Sequence, residues 1–258
     1  MDEGRRQSYL ALMGVNLYQP RGRVGQADTA TVPSMPEPKK PLSFLPAGGE
    51  GIKPPTPVNP PPVMSVVPMV PVVTDQAVDW DGLRAQIADC HACPLWQTRT
   101  RTVFGVGHRK AQMMVIGEAP GADEDRQGEP FVGRAGQLLN AMLAAIGHPR
   151  EQVYIANILK CRPPGNRDPK PEEAHQCERF LIRQIEWVSP RLILAVGRIA
   201  AQHLLRSGRP VGELRGVVHR FGPQAIPLVV TYHPAYLLRA PEQKASAWQD
   251  LKLVLRQL

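Results

Sequence analysis

The chain contains four cysteines, Cys90, Cys93, Cys161 and Cys177, whose number and spacing are typical of a metal centre. The first two form a C-x-x-C pair in the segment DCHACPLW, and the other two stand singly, sixteen positions apart. Four thiolates from one close pair and two distant residues can build one tetrahedral site, and a cluster of iron and sulfide suits such a site. We therefore predict an iron–sulfur centre held by these four residues.

Two other uses of the cysteines stay open at this point. Zinc is the first, because C-x-x-C is also half of a zinc knuckle, although typical zinc sites keep their second pair close together as well. Two disulfides are the second, and they suit short secreted chains. The N-terminal segment MDEGRRQSYLALMGVNLYQPR has no small-residue cleavage signal, so we expect no export and a cytoplasmic location with unbridged thiols.

The charge of the chain favours a polyanionic partner. The formal net charge is +8, and +7 of it lies in residues 78–258. A basic folded domain is typical of nucleic-acid binding, although a basic protein without such a partner would show the same charge. No apolar stretch reaches the roughly 18 residues that a membrane helix needs, so we expect no membrane partner.

Apolar runs alternate with amphipathic segments in the C-terminal part of the chain. Four runs predict strands: AQMMVIG, EQVYIANILK, PRLILAVG and IPLVVTYHP. Between and after them, helical spacing is found in RAGQLLNAMLAAIG, PEEAHQCERFLIRQIEWV, RIAAQHLLRSG and PEQKASAWQDLKLVLRQL. This order predicts an α/β fold with helices on both faces of a mainly parallel sheet. In such folds the loops after the strands build the site. Three loops therefore matter: GEAPGADEDRQGEPFVG, NILKCRPPGNRDP and TYHPAYLLRAP.

Two further segments precede this domain, which we place at residues 78–258. Residues 20–71 hold fourteen of the 28 prolines, so we predict an extended, disordered linker over residues 20–77. Residues 1–19 show a short apolar helical face and resemble the N-terminal peptide of the bacterial clamp-loader psi subunit. That resemblance implies a peptide that docks on a replication or repair protein.

The three loops and the four cysteines together resemble the iron–sulfur uracil-DNA glycosylases of the family-4 type, over about residues 78–258. The resemblance rests on GEAPG…PFVGRAG, the cysteine of KCRPP, the fourth cysteine and the late YHPA, in that order. It implies a three-layer α/β/α sandwich with a central, mainly parallel four-stranded sheet and a [4Fe–4S] cluster. It also implies an enzyme that excises uracil from single- or double-stranded DNA and leaves an abasic site. We expect the protein to be a monomer.

Three residues match the family's substrate-binding positions. An excised base must first leave the DNA stack. Phe131 matches the aromatic residue that stacks on the flipped base, and Asn157 matches the base reader, whose carboxamide complements the donor and acceptor on uracil's edge. Glu124 matches a residue beside the base, where it would discourage the methyl group of thymine. Phe131 as a core residue and Asn157 as a backbone partner are the plain alternatives.

Three further residues match catalytic positions. Cleavage of the N-glycosidic bond leaves negative charge on uracil and positive charge on the sugar, and a hydrogen bond from His233 would stabilise the uracil anion. Glu118 and Asn166 match positions linked to the reaction centre and its water. The best-known uracil-DNA glycosylases, outside this family, carry Asp where this chain has Ala119, so no carboxylate is assigned as general base.

Leu237 is the predicted wedge that fills the gap left in the DNA, with Leu238 as the next candidate, because apolar wedges are a recurrent device. Inward packing of Leu237 is an equal alternative. Four arginines are predicted phosphate contacts: Arg134, Arg162, Arg167 and Arg239.

Two other functions compete with the glycosylase. The covalent uracil-binding relative carries a basic insertion with a reactive histidine, which this sequence lacks. A metal-stabilised nucleic-acid-binding protein without glycosylase activity is the alternative of a different class.

Overall fold

The structure is a computed structural model, and it describes residues 79–258 together with Gln7 and Ala11. The predicted docking peptide over residues 1–19, apart from those two positions, and the predicted linker over residues 20–77 lie outside the described residues. In the part of the chain that is described, no helix is long and apolar enough to cross a membrane.

Six strands form one sheet with the spatial order β1-β3-β2-β4-β6-β5 within residues 79–258. They are β1 Val106–Gly107, β2 Met113–Gly117, β3 Tyr154–Asn157, β4 Leu192–Val196, β5 Val218–Phe221 and β6 Ile226–Thr231. The central four, β3, β2, β4 and β6, pair in parallel and are the four strands that the apolar runs predict. The two edge strands are antiparallel additions that the sequence did not reveal. β1 has only two residues, and β5 has no buried residue, so neither forms an apolar run.

Helices cover both faces of the sheet. The α-helices are α1 Trp80–Ala88, α2 Ala122–Gln127, α3 Arg134–Ala145, α4 Pro171–Val188, α5 Arg198–Leu205, α6 Val211–Leu214, α7 Pro234–Arg239 and α8 Lys244–Leu255. Short 3-10 segments occur at Pro94–Gln97, Arg150–Gln152, Pro164–Asn166 and Pro241–Gln243.

Alternate residues of the central strands face two separate cores. In β2, Met114 and Ile116 pack into one cluster, whereas Met113 and Val115 pack into the other. The first cluster takes side chains from α1, α4 and α5, and the second takes them from α3, α7 and α8. Since successive strand residues point to opposite faces, this division is that of a three-layer α/β/α sandwich, as predicted.

The strand order places the functional loops at one end of the sheet, where the parallel strands end. The chain leaves β2 toward β3 on one side, and later returns to β4 on the other side, so the order reverses at β2. A crevice at the carboxyl ends of parallel strands is expected at such a switch point. The residues that follow β2, β3, β4 and β6 therefore meet at one end of the sheet.

Candidate active site and thiol cavity

A cleft at this switch point collects the residues predicted to bind or act on a base. All six of them line it: Glu118, Glu124, Phe131, Asn157, Asn166 and His233. Glu118 directly follows β2, Asn157 ends β3, and His233 lies two residues after β6. The fold thus brings together side chains that are more than a hundred positions apart in sequence.

Gly117, the last residue of β2, lies beneath the side chains of Phe131 and Asn157. A Cβ atom at Gly117 would lie 2.5 Å from Asn157 Oδ1 and 2.7 Å from Phe131 Cζ, both much closer than van der Waals contact allows. The absence of a side chain at Gly117 is therefore what lets the aromatic ring and the carboxamide converge at the end of the sheet.

Asn157 has a buried polar atom that no protein group satisfies. Its residue is 2% exposed, and its Oδ1 has no hydrogen-bond partner in the described part of the protein. A buried, unpaired carboxamide oxygen is costly, by about 1–3 kcal/mol. An oxygen left in this state, in the wall of a cleft, is available to accept a hydrogen bond from a ligand.

Phe131 adopts a strained backbone that ionic side chains hold in place. Its φ is +55°, in the left-handed region that is unfavourable for an aromatic residue. Arg150 donates to the carbonyl oxygens of Phe131, at 3.3 Å, and Pro130, at 2.6 Å. Glu124 Oε1 accepts from the N–H groups of Val132, at 3.0 Å, and Gly133, at 3.2 Å. The backbone on both sides of Phe131 is thus fixed by two charged residues.

Glu124 therefore has a positioning role in addition to its place in the cleft wall. Its second oxygen, Oε2, accepts from the N–H of Gly121 at 3.1 Å, so the same carboxylate ties the start of α2 to the Phe131 loop. The family resemblance implies a contact of Glu124 beside the base, but nothing in the sequence indicates this second role. Arg150 was missed altogether, because nothing marks it among the arginines of the chain.

His233 is held in one tautomer by the first turn of α7. Its Nδ1 accepts from the N–H of Ala235 at 3.1 Å, so the ring proton of a neutral imidazole lies on Nε2. Burial, and secondarily the charge of Arg239, lower the pKa of His233 to about 4. Gly197, with φ +95°, allows close approach, since a Cβ there would lie 2.9 Å from His233 Cβ. His233 is thus a neutral donor at physiological pH.

Glu118 lies in a partly buried position beside a second carboxylate. Burial, and secondarily the charge of Asp168, raise the pKa of Glu118 to about 7, against an opposing effect of the charge of Arg198. Asp168 and Arg198 form an ion pair on the same cleft wall. Asn166 is exposed there and accepts from Arg162 Nε at 2.7 Å through its Oδ1. Glu118 is thus poised between its charged and neutral forms near neutral pH.

The prediction of a wedge at Leu237 does not fit its position in the structure. Leu237 is 0% exposed and packs in the second core cluster, with residues of α3 and α8. Leu238 is 37% exposed in the same helix. Because a side chain without exposed surface cannot enter DNA unless it leaves the core, Leu238 is the better candidate.

The four predicted phosphate contacts differ in their availability. Arg167 pairs through two nitrogens with the buried carboxylate of Glu173, at 2.9 and 2.6 Å, and so helps fix the loop before α4. Arg162 binds Asn166. Arg134 and Arg239 are exposed, and Arg239 lines the cleft. The last two are the better placed for a phosphate.

A second cavity is lined by all four cysteines. Cys90 follows α1 by two residues, so this helix determines its position. The helix begins at a cap in which Asp79 accepts from the N–H of Gly82 at 2.8 Å, and its Leu83 and Ile87 are buried. Other residues around the cavity are Ala92, Arg99, Lys160, Gln176 and Phe180. All four cysteines are free thiols.

The donor set of this cavity, four thiols, suits a metal centre. Among the described residues, no group of three or more His, Cys, Asp or Glu is placed to hold a single metal ion. The four thiols line one cavity. Arg99 Nη1 donates to Cys161 Sγ at 3.2 Å, and the N–H of Lys160 donates to Cys177 Sγ at 3.3 Å. Hydrogen bonds to sulfur are characteristic of iron–sulfur sites.

Lys160 connects the thiol cavity to the cleft. Its ammonium, which is completely buried, donates to the carbonyl of Asn157 at 3.0 Å and to Gln184 Oε1 at 2.7 Å. Burial lowers the pKa of Lys160 to about 8. Lys160 therefore contacts both Asn157, the candidate base reader, and Cys177 of the thiol cavity. Sequence analysis did not identify this residue.

Comparison with known proteins agrees with this arrangement. The sequence model of the Uracil DNA glycosylase superfamily matches residues 104–252. The Type-4 uracil-DNA glycosylase of Archaeoglobus fulgidus is 44% identical over 181 residues, which are 67% of this chain and 90% of that protein. That of Pyrobaculum aerophilum is 41% identical over 182 residues, or 68% and 93%. That of Thermotoga maritima is 44% identical over 158 residues, or 60% and 80%.

Proposed function

Because this chain belongs to the uracil DNA glycosylase superfamily, we propose that it flips uracil out of DNA and hydrolyses the N-glycosidic bond, leaving an abasic site. The observation that carries the proposal is the unpaired, buried Oδ1 of Asn157 beside the ring of Phe131 at the end of the sheet. A flat apolar surface with one free acceptor next to it suits a flipped pyrimidine that carries an N–H group.

Binding depends on the two side chains above Gly117. Phe131 packs in the second core cluster and is 6% exposed, and the part of its ring that lines the cleft would supply the stacking surface. Asn157 accepts from the ring N–H of uracil and donates to the adjacent carbonyl. In the carboxamide orientation that pairs with uracil, Asn157 Oδ1 faces the unprotonated ring nitrogen of cytosine and the Asn157 NH2 group faces the amino group of cytosine, so neither hydrogen bond forms. A site built to hydrogen-bond its substrate rejects the analogue that lacks the group by about 10⁴–10⁵-fold.

Bond cleavage depends on the neutral donor and the carboxylate. As the bond between the sugar C1′ and uracil N1 breaks, its electron pair moves onto the uracil, where Nε2–H of His233 stabilises the negative charge that develops on the carbonyl oxygen between the two ring nitrogens. The cationic sugar is stabilised by the ionised carboxylate of Glu118. Water then adds to C1′, and Glu118, with its pKa near 7, is suited to accept the proton that the water loses. Asn166 helps to hold that water.

The four cysteines would hold a [4Fe–4S] cluster. Its contribution is structural: when bound, it fastens the Cys90–Cys93 segment, the loop after β3 and α4 to one another. The loop that follows β3, which contains Cys161, would thereby be fixed next to Asn157. The four free thiols also suit the reducing cytoplasm that the sequence predicts. The partner of residues 1–19 and the monomeric state remain predictions.

Mass spectrometry of a uracil-containing oligonucleotide tests the proposal. The expected products are free uracil and an intact strand in which a hydroxyl group has replaced the base. A strand that keeps its uracil after incubation with iron- and sulfide-replete protein would overturn the catalytic claim and favour a nucleic-acid-binding protein without glycosylase activity. A thymine-containing strand of the same sequence is the control.

A further inference from the structure

The cleft extends beyond the residues assigned to the flipped base. Past His233, its wall continues through a group of aromatic and small residues: Pro210, Val211, Gly212, Tyr232 and Tyr236. This part contains no residue that the proposed reaction uses. It lies next to the base pocket, so it can be reached by a nucleotide that is covalently joined to the flipped one.

Two tyrosines form the surface of this second part. The rings of Tyr232 and Tyr236 have centroids 5.2 Å apart and planes inclined by 40°, so they pack against each other. Tyr232 is partly buried, whereas Tyr236 is 38% exposed, among the most exposed large apolar side chains of the described region. An exposed aromatic ring at the mouth of a DNA-binding cleft offers a stacking surface.

Tyr232 is itself fixed from behind by a buried ionic network. The guanidinium of Arg215 lies 5.5 Å from the centre of the Tyr232 ring and forms two hydrogen bonds with Asp250, at 3.1 and 2.9 Å. Asp250 is 0% exposed and also accepts from the hydroxyl of Thr231 at 2.9 Å. The ring on which Tyr236 packs is thus held rigidly, which lowers the entropy cost of stacking a ligand on the pair.

The charges around the tyrosines suit a nucleotide rather than an apolar ligand. Arg198 and Arg239 line the same cleft; Arg198 pairs with Asp168 there, whereas Arg239 is exposed. An aromatic platform together with arginines that can reach a phosphate is the usual combination for binding single-stranded nucleic acid. Every base has a π-face, so such a surface would be tolerant of sequence.

We propose that Tyr232 and Tyr236 form a second nucleotide subsite, on which the base adjacent to the flipped uracil stacks. The proposal rests on the proposed function, because it assumes that a DNA strand occupies the cleft. It predicts that the protein binds the substrate through two neighbouring bases and prefers strands whose neighbouring base is free to unstack.

The test compares Tyr236→Ala with Tyr236→Phe on a single-stranded oligonucleotide that contains one uracil. Stacking on an aromatic ring contributes about 1–3 kcal/mol per base. Tyr236→Ala should therefore raise the protein concentration that half-saturates the strand roughly 5- to 150-fold. Tyr236→Phe keeps the ring and should retain most of the affinity. Leu255→Ala, which trims an equally exposed side chain outside the cleft, is the matched control.

A second set of strands identifies the base as the group that is bound. In these strands the nucleotide on the 5′ or the 3′ side of uracil lacks its base, and Tyr236→Ala should no longer weaken binding to one of them. An equal loss on all strands, or a loss with Tyr236→Phe as large as with Tyr236→Ala, would overturn the proposal in favour of a hydroxyl–phosphate contact. Failure of the wild type to release uracil would instead count against the proposed function, since strand affinity is measured separately by anisotropy.

Discussion

The ring of Phe131 lies 5.6 Å from the imidazole ring of His233, measured between centroids, and the two planes are inclined by 30°. A base sandwiched between them would need about 3.5 Å on each side, which is more than this separation provides. The flipped base must therefore stack on Phe131 with its edge toward His233. That arrangement would let Nε2–H of His233 donate to the carbonyl oxygen between the two ring nitrogens, as the proposed stabilisation of the departing uracil requires.

Gly117→Ala is expected to damage the site with little effect on the fold. Its Cβ would lie within 2.7 Å of both Asn157 Oδ1 and Phe131 Cζ, so the carboxamide and the ring must move apart. Because a misplaced group can cost about 10²-fold in rate, we expect a loss of that order in kcat/KM for uracil excision. The measurement pairs single-turnover kinetics with the thermal unfolding midpoint. Gly208→Ala, where a Cβ meets nothing within 4 Å, is the control; wild-type kinetics in Gly117→Ala would contradict the assigned geometry.

The rate should depend on pH through Glu118. Its ionised form stabilises the sugar cation, and burial together with Asp168 raises its pKa to about 7, so the rate should rise with pH up to about that value. Asp168→Asn removes the negative neighbour and lowers the pKa of Glu118, which shifts the rising limb to lower pH. His233, with its pKa near 4, is neutral throughout this range.

A pH–rate profile at saturating protein checks this dependence. Glu118→Gln should excise uracil slowly, and its rate should no longer rise with pH. Asp81→Asn is the control: it changes an exposed carboxylate that pairs with Arg109, and the rise of the rate with pH should stay as in the wild type. If the rate of Asp168→Asn rises at the same pH as that of the wild type, or at a higher pH, the titrating group is not Glu118.

Arg150 should act on catalysis only through Phe131. Its two hydrogen bonds to the carbonyls of Pro130 and Phe131 hold the strained platform, so Arg150→Met should reduce kcat/KM about tenfold. In a Phe131→Ala background the platform is gone, and the same substitution should cost almost nothing. The double-mutant cycle measures this coupling. Additive losses would mean that Arg150 affects excision by a different route, and Arg256→Met, exposed after α8, provides the control.

Cys177→Ser should remove the cluster from the purified protein. Cys177 lines the thiol cavity and accepts from the N–H of Lys160, so its loss leaves three thiols where four are needed. We expect a sharp fall in bound iron and acid-labile sulfide and a lower unfolding temperature, because a group that binds only the folded state stabilises it. Trp96→Phe, at an exposed position three residues after Cys93, should keep both. One zinc per wild-type chain, without sulfide, would contradict the cluster.

The sequence predicts those parts of the structure that depend on a local residue pattern. The four parallel strands are uninterrupted apolar runs, and the cleft residues lie in recognisable loops directly after them. The roles of those residues came from the family resemblance, and the structure adds that all six line one cleft. Contacts between distant segments left no such pattern. Arg150 and Phe131 are nineteen positions apart, and nothing between them signals the hydrogen bonds that join them.

The direction of a side chain on a short helix was also beyond the sequence. Leu237 and Leu238 are adjacent and chemically identical, and only the packing of α7 against α3 decides that the first is buried. Edge strands raise the same difficulty, because β1 forms only through its pairing with β3. Lys160 is a further case, since a lysine between an apolar strand and a cysteine gives no sign that its ammonium is fully buried.

The most direct test of the account is single-turnover excision by wild-type protein and by Asn157→Ala. End-labelled oligonucleotides carrying uracil or thymine at one position are incubated with excess protein and then treated with alkali, which breaks the strand at abasic sites. The account predicts a break at uracil but not at thymine, and a loss of about 10²–10³-fold in rate for Asn157→Ala with near-normal DNA binding. Intact uracil strands with the wild type, or an Asn157→Ala rate equal to that of the wild type, would contradict it.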